Sequence, residues 1–219
     1  MLKAVIFDMD GVIVDSEPGY YTSLLRLLDE FDAYVDEEYN ARYFGTTMEK
    51  LFTDTIEYLE LDTTVDYCNE RFFEIYEEVV REEGFTPIKG TIELIREIHE
   101  AGIPMAVASS SPMDHIKRIT EDLGVSDFFH ELVTGEDCEN SKPDPEIFLT
   151  AAQKLGVEPE HCAVVEDSAN GVLAGTRAGM KVLGFSNPEY GSPSHEKAHK
   201  VVHSLEEADL KTLESLFTK

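Results

Sequence analysis

The chain has 219 residues with 45 acidic and 18 basic side chains, and its formal net charge of −27 argues against nucleic acids and anionic membranes as partners. A hydrophobic fraction of 42% is typical of a folded protein, and no apolar run approaches the roughly 20 residues that span a bilayer. The three cysteines, Cys68, Cys138 and Cys162, lie far apart without a metal or disulfide spacing, which favours free thiols in a reducing cytoplasm.

The first apolar run, Ala4–Phe7, predicts a buried strand that ends at Asp8-Met9-Asp10-Gly11. We expect no signal peptide, because two carboxylates directly follow this run. Residues at i and i+2 of a regular strand point to opposite faces, but a turn at Gly11 would bring Asp8 and Asp10 toward one ligand. An ordinary strand-to-turn connection gives the same pattern. A calcium loop is disfavoured, because apolar residues follow Gly11 where such a loop needs oxygen ligands.

Residues 16–84 predict a helical insert, because apolar residues recur there at helical spacing and no strand pattern is present. Nineteen acidic residues against five basic residues give the insert a net charge of −14. Its boundaries are expected near Asp15–Pro18 and Gly84–Pro87. We interpret its tyrosines and phenylalanines mainly as the core of the insert itself.

The rest of the chain alternates short apolar runs with amphipathic segments. The runs predict strands at 4–7, 104–108, 162–165 and 181–185, and the segments predict helices at about 91–101, 112–123, 145–156 and 168–178. This alternation indicates an α/β fold with a doubly wound, Rossmann-like parallel sheet. Residues 1–15 and 85–219 would form the catalytic core, and 16–84 an all-helical cap. Ligands of such sheets bind at the carboxyl ends of the strands.

Polar residues also follow the second and third of these strands, at Ser109-Ser110-Ser111 and Glu166-Asp167-Ser168. If Glu166 and Asp167 meet the carboxylates of the first strand end, each like-charge pair about 4 Å apart repels by roughly 4 kcal/mol at an effective dielectric near 20. Such a cluster requires raised pKa values or a hard divalent cation, for which Mg²⁺ is the natural choice. The predicted metal-binding residues are Asp8, Asp10, Glu166 and Asp167. Separate, solvent-exposed helix caps are the alternative interpretation.

A phosphoryl group needs a hydroxyl donor and a cation, which Ser109 and Lys142 would supply. Lys142 precedes Pro143, and a residue before proline is held extended. Taken alone, this lysine is better explained as part of a solvated loop. In combination with the polar strand ends it predicts a phosphate site, with Ser109, Ser110, Lys142 and Gly11 as the candidate phosphate- and substrate-binding residues.

These motifs, in this order, resemble the haloacid dehalogenase-like superfamily, in the branch of β-phosphoglucomutase and small sugar-phosphate phosphatases. The resemblance covers nearly the whole chain, and the helical insert matches the cap of that family. The motifs that carry it are Asp8-Met9-Asp10-Gly11-Val12-Ile13-Val14-Asp15, Ser109, Lys142, Val164-Val165-Glu166-Asp167-Ser168-Ala169-Asn170-Gly171 and Ala174-Gly175-Thr176-Arg177-Ala178-Gly179.

The resemblance implies a Mg²⁺-dependent phosphatase acting on a small phosphorylated metabolite. It implies Asp8 as the nucleophile that becomes an aspartyl-phosphate, and Asp10 as the acid and then the base. The implied metal ligands are Asp8, the main-chain carbonyl of Asp10 and Asp167, with Glu166 bound directly or through another group. A dehalogenase is disfavoured, because dehalogenases of this fold lack the second carboxylate, which is Asp10 here.

A phosphomutase and a non-catalytic binding protein on the same scaffold are the alternatives. The β-phosphoglucomutases carry a cap histidine at the position that matches Tyr20, and basic residues around the first cap loop. Here Arg42 and Lys50 are the nearby cations of that loop, which favours a phosphatase. The loop reads Phe44-Gly45-Thr46-Thr47-Met48, and the candidate cap contacts are Tyr20, Tyr21, Phe44, Thr46, Thr47 and Met48.

Overall fold

The computed structural model describes residues 1–44, 46–190 and 196–218. The chain forms two compact units, one of Met1–Asp15 with Thr86 onward and one of Ser16–Phe85. Within the described ranges, every helix is too short or too polar to cross a membrane.

The first unit is built around a parallel sheet that is buried on both faces. In chain order the strands are β1 (Ala4–Phe7), β2 (Val14–Asp15), β3 (Thr86–Pro87), β4 (Met105–Ser109), β5 (Glu131–Thr134), β6 (Cys162–Glu166), β7 (Lys181–Phe185) and β8 (Lys200–Val202). Six of them form one sheet in the order β5-β4-β1-β6-β7-β8, with Val5 of β1 paired to Met105 and Ala163. All residues of β1 are buried although they alternate between the faces, so both faces are covered. This confirms the predicted α/β fold.

The second unit is helical. Its helices are α1 (Glu17–Asp29), α2 (Glu37–Ala41), α3 (Met48–Leu59) and α4 (Val65–Glu83). Three of them begin at a residue whose side chain accepts a hydrogen bond from a first-turn amide, namely Asp36, Thr47 and Thr64. Apolar helix faces meet in one core, in which the rings of Phe52 and Phe72 lie 5.6 Å apart. Among the described residues of this unit every regular element is a helix, as predicted for the insert.

Two of the candidate cap contacts pack within the helical unit itself. The ring of Tyr20 lies 4.8 Å from that of Tyr76, and the hydroxyl of Tyr21 donates to the carbonyl of Val35 at 3.3 Å. Gly45 of the first cap loop lies outside the described residues. A contact with substrate stays a prediction for Tyr20, Tyr21, Phe44, Thr46, Thr47 and Met48.

Among the described residues of the first unit, four helices lie within one residue of their predicted ends, but one further helix and some short strands were not predicted. These helices are α5 (Thr91–Glu100), α6 (Met113–Asp122), α7 (Glu146–Leu155), α8 (Ala169–Arg177) and α9 (Leu210–Ser215). The sequence analysis did not predict α9, β2, β3, β5 or β8. Strand β5 has only four residues with polar ends, and β8 has three, so neither presents enough positions to establish a hydrophobic period.

The carboxyl ends of β1, β4 and β6 are adjacent because β1 lies between the other two strands. In chain order, β4 and β5 are added on one side of β1, and β6, β7 and β8 are added on the other. The order in which strands are added therefore reverses beside β1, and open α/β sheets bind their ligands at such a point. Strands β2 and β3 form an antiparallel pair at the point where the chain leaves and re-enters this unit.

Candidate active site

Asp8 is the first residue after β1, and it is buried at the end of the strand. Its amide donates to the carbonyl of Val165 in β6 at 3.0 Å, which extends the strand pairing to this residue. The chain then turns sharply, with the amide of Gly11 donating to the carbonyl of Val14 at 2.8 Å. Gly11 has a φ of +75°, a conformation that side chains hinder. Asp10 lies within this turn, and its charge adds to the upward shift of the Asp8 pKa.

Lys142 forms a buried double ion pair at this strand end. Its Nζ atom lies 2.5 Å from Oδ1 of Asp8 and 2.8 Å from Oε2 of Glu166, and it also donates to the carbonyl of Ala108 at 3.3 Å. Burial alone would lower the pKa of the lysine, but the charges of the two carboxylates outweigh it and raise that pKa. Lys142 is therefore a permanent cation and not a residue of a solvated loop.

Glu166 is completely buried and uses both carboxylate oxygens. While Oε2 accepts from Lys142, Oε1 accepts from the amides of Asp167 and Ser168, at 3.1 and 2.9 Å, and from the Ser168 hydroxyl at 2.9 Å. Burial raises the pKa of Glu166, but Lys142 and these donors reverse the effect and lower it overall. Ser168 also caps α8 by accepting from the amide of Gly171. Glu166 thus fixes the loop that carries Asp167.

Three carboxylates form a cluster that fits a metal ion. One oxygen each from Asp8, Glu166 and Asp167 can be chosen so that all lie within 4.8 Å of one another. Burial raises the pKa of Asp8 to about 7, with Glu166 adding to the shift and Lys142 opposing it. Burial and the neighbouring Glu166 likewise raise the pKa of Asp167. A hard divalent cation prefers such oxygen ligands and would favour their ionised form.

The carboxylate of Asp10 is not part of this cluster. Its Oδ2 atom accepts a hydrogen bond from the hydroxyl of Ser111 at 2.8 Å, while Oδ1 is buried without a hydrogen-bond partner among the described residues. The amide of Ser111 donates to Oγ of Ser109 at 3.0 Å, and its carbonyl accepts from the Thr134 hydroxyl at 2.8 Å. Ser110 is exposed in the same segment. The segment 109–111 at the end of β4 is therefore connected to the Asp10 side chain by a hydrogen bond.

Sequence reasoning did not single out Ser111 and Thr134 as site residues. Ser111 is the third serine of a run in which only the first two were chosen, and nothing local distinguishes it from them. Thr134 ends β5, a strand that the sequence did not reveal. The contact of Ser111 with Asp10 depends on the pairing of β1 with β4, and its contact with Thr134 depends on the pairing of β4 with β5.

Two glycines make room for the carboxylates. A Cβ atom on Gly11 would lie 2.1 Å from Oδ2 of Asp167, and one on Gly171 would lie 1.7 Å from Oε2 of Glu166. Neither distance is possible between real atoms, so both positions require glycine for the carboxylates to stay in place. Gly171 was part of the fourth motif in the sequence, but its role is visible only in the structure.

The chain is similar in sequence to proteins of known family. The profile of the haloacid dehalogenase-like hydrolases matches residues 5–185. The chain belongs to the haloacid dehalogenase-like hydrolase family. This hydrolase is 30% identical over 208 residues to the phosphorylated carbohydrates phosphatase of Thermotoga maritima, covering 93% of this chain and 87% of that protein. It is 31% identical over 191 residues to the β-phosphoglucomutase of Bacillus subtilis, covering 84% and 83%.

A solved structure shows the same fold. The hydrolase superposes with a TM-score of 0.81 on a haloacid dehalogenase family hydrolase from Deinococcus radiodurans with bound phosphate and sodium, at 26% identity over 99% of this chain and 98% of that one. These findings confirm the family and the enzyme class: the hydrolase is a phosphoric monoester hydrolase. The family uses Mg²⁺, and the cluster of Asp8, Glu166 and Asp167 fits such a site.

A Gly11→Ala variant is expected to lose at least about 100-fold in activity toward p-nitrophenyl phosphate and to lose its thermal response to Mg²⁺. The added Cβ collides with Asp167, and the positive φ costs roughly 1–3 kcal/mol for a residue other than glycine. Gly124→Ala is the matched control, because Gly124 has a φ of +68° and open space around its Cβ position. Equal activity and equal Mg²⁺ response of the two variants would contradict the role given to Gly11.

Proposed function

We propose that this hydrolase removes the phosphoryl group from a small phosphorylated metabolite, a sugar phosphate or a similar phosphomonoester, through an aspartyl-phosphate on Asp8. The observation that carries the proposal is the placement of Asp8, buried at the end of β1 and paired with Lys142. A carboxylate nucleophile needs a cation for the phosphoryl oxygens and a nearby proton donor. Lys142 supplies the first and Asp10 the second.

In the first step, a carboxylate oxygen of Asp8 attacks phosphorus, and the bond from phosphorus to the leaving-group oxygen breaks. Asp10 gives its proton to that oxygen, so that a neutral alcohol departs. Lys142 and the Ser109 hydroxyl stabilise the charge on the transferring oxygens. The oxygen of Ser109 accepts from the Ser111 amide, which leaves its own hydrogen free for donation to phosphate.

In the second step, Asp10 is ionised and acts as the base. It takes a proton from water while the water oxygen attacks phosphorus, and the bond between Asp8 and phosphorus breaks. Inorganic phosphate leaves, and both carboxyl groups return to their starting protonation states. One residue thus serves both steps, because the proton it loses in the first is recovered in the second.

Asp8 and Asp167 are the proposed carboxylate ligands of Mg²⁺, with the main-chain carbonyl of Asp10 as a further ligand. Glu166 is proposed to act through its neighbours, since Lys142 and Ser168 already engage its two oxygens. A Mg²⁺ ion held by these residues would supply positive charge to the carboxylates and to the phosphoryl oxygens of the substrate.

The proposed substrate class rests on the relatives and on the charge of the chain. The Thermotoga maritima relative is a phosphatase of phosphorylated carbohydrates. Because the net charge of the chain is −27, an anionic substrate is attracted only by cations in the site itself. The number of those cations limits how much negative charge the substrate can carry. A single phosphate beside Lys142 satisfies that limit.

The pairing of the cap cations favours a phosphatase over a phosphomutase. Lys50 forms an ion pair with Asp54 at 2.6 Å, and Arg42 lies 3.9 Å from Glu38. A mutase must hold a bisphosphate that carries about four negative charges. Each of these cations already lies beside an acidic side chain of the same unit. Lys50 and Arg42 therefore offer little net positive charge to a second phosphate.

We expect the hydrolase to release phosphate from at least one member of a panel of sugar phosphates, nucleotides and small phosphoesters when Mg²⁺ is present. This activity should disappear in excess EDTA and return when Mg²⁺ is restored. Mg²⁺ should also raise the melting temperature, because it binds the folded cluster and relieves carboxylate repulsion. An Asp167→Asn variant should lose this thermal shift. If the protein hydrolyses none of these phosphoesters, the proposed function is wrong. Full activity in excess chelator would contradict the metal site.

Incubation with β-glucose 1-phosphate and a trace of β-glucose 1,6-bisphosphate is expected to yield free phosphate faster than glucose 6-phosphate. The reason is that Lys50 and Arg42, the cations nearest the first cap loop, already lie beside acidic side chains of the same unit. Both products can be followed in one time course, with a coupled dehydrogenase assay for glucose 6-phosphate. Faster formation of glucose 6-phosphate would establish the mutase instead.

A further inference from the structure

We infer that Ser111 is a positioning residue, which orients Asp10 for proton transfer to the leaving group. This inference rests on the proposed function and extends it to the third serine of the Ser109–Ser111 run, which was not among the candidate site residues. The contact that carries it is the hydrogen bond of 2.8 Å from the Ser111 hydroxyl to Oδ2 of Asp10.

The two carboxylate oxygens of Asp10 have different surroundings. Oδ2 accepts the hydroxyl of Ser111, whereas Oδ1 is buried and has no hydrogen-bond partner within the described part of the chain. A buried polar atom without a partner is costly, and a catalytic role is one of the reasons that a protein keeps such an atom. Since Ser111 occupies Oδ2, the transferable proton belongs on Oδ1. The serine therefore selects which oxygen acts as the acid.

Ser111 can do this because its backbone is held from two sides. Its amide donates to Oγ of Ser109, the last residue of β4, and its carbonyl accepts from Oγ1 of Thr134, the last residue of β5. The Thr134 oxygen in turn accepts from the amide of Glu136 at 3.2 Å. Two paired strands thus fix the serine, and the serine restricts the rotation of the Asp10 side chain. Such restriction accelerates proton transfer by keeping the donor in reach.

A direct contact of Ser111 with substrate is the competing explanation, and leaving groups of different basicity separate the two. An alkyl phosphate such as a sugar phosphate expels a basic alkoxide and needs the proton, whereas p-nitrophenyl phosphate expels a weakly basic phenolate that departs without it. The value of kcat/KM reports events up to the departure of this group, before the second step. A loss of acid catalysis therefore lowers kcat/KM for the first substrate and spares the second.

The experiment compares wild type, Ser111→Ala, Ser111→Thr and Asp10→Asn on the sugar phosphate with the highest activity and on p-nitrophenyl phosphate. Ser111→Ala is expected to lose about 10- to 100-fold in kcat/KM on the sugar phosphate, part of the typical contribution of general acid catalysis, and less than about threefold on p-nitrophenyl phosphate. Asp10→Asn should show the same selectivity with a larger loss. Ser111→Thr, which keeps the hydroxyl, should recover most of the activity.

Equal losses on both substrates, or a rise in KM alone, would show that Ser111 contacts the substrate and would overturn the inference. Unchanged activity of Ser111→Ala on both substrates would overturn it as well. Wild-type protein that hydrolyses neither substrate would instead contradict the proposed function, so the two failures are distinguishable.

Discussion

An Asp8→Asn variant is expected to fold normally and to lose turnover by roughly 10⁴-fold or more, as enzymes do when the nucleophile is removed. The amide has the same size as the carboxylate and still accepts a hydrogen bond from Lys142, but it does not attack phosphorus. The residual Lys142–Glu166 pair at 2.8 Å keeps the buried charges balanced. Measurement of phosphate release by the purified variant checks the expected loss.

The stability of this variant provides an independent readout. Burial raises the pKa of Asp8 to about 7, above its ordinary value of 3.8, so the folded protein binds more protons than the unfolded chain between these values. Ionisation of Asp8 therefore costs folding free energy as the pH rises through this window. In EDTA above pH 7, Asp8→Asn is expected to melt at the same temperature as wild type or higher.

Acid quenching during turnover of a ³²P-labelled substrate should trap label on the wild-type protein and none on Asp8→Asn. An acyl phosphate is stable in acid and is released by hydroxylamine, which identifies the bond. A well-folded Asp8→Asn variant that retains activity, or label that persists on it, would exclude the covalent mechanism.

A Lys142→Met variant is expected to lose activity by at least about 100-fold and to lose about 3 kcal/mol of stability at pH 7.5. Methionine fills a similar volume but leaves Asp8 and Glu166 as buried carboxylates without their cation. Removing one partner of a buried ion pair typically costs 3–5 kcal/mol. The loss should shrink at acidic pH, where protonation neutralises the carboxylates. Urea unfolding at pH 5 and pH 7.5 measures both values.

Lys89→Met is the matched control for this variant. Lys89 also forms an ion pair, with Glu206 at 3.0 Å, but its side chain is 81% exposed. Solvent screens such pairs, so both stability and activity should stay close to wild type. Mg²⁺ is expected to restore part of the stability of Lys142→Met without restoring its activity. An equal loss of stability in the two lysine variants would show that burial of the Lys142 ion pairs does not increase their contribution to the free energy of unfolding.

The sequence by itself determined the fold class and the chemical groups of the site. Ala4–Phe7 predicts a buried strand because four apolar residues end abruptly at a carboxylate, and amphipathic segments such as 91–101 repeat their period over enough turns to locate a helix. The same local reasoning missed β5 and β8. Strand β5 has four residues with polar ends and β8 has three residues, so each presents too few positions to establish a hydrophobic period.

Only the tertiary structure decided which polar groups meet. Lys142 reaches Asp8 across 134 residues of chain and Glu166 across 24, and Ser111 reaches Asp10 across 101. The sequence placed Asp10 among the other carboxylates, whereas the structure gives its side chain a serine as partner. Strand order and register set these contacts, because they place β4 and β6 on either side of β1. A local pattern reports which side chains stand at a strand end, but the neighbours of that end depend on strands that are distant in the sequence.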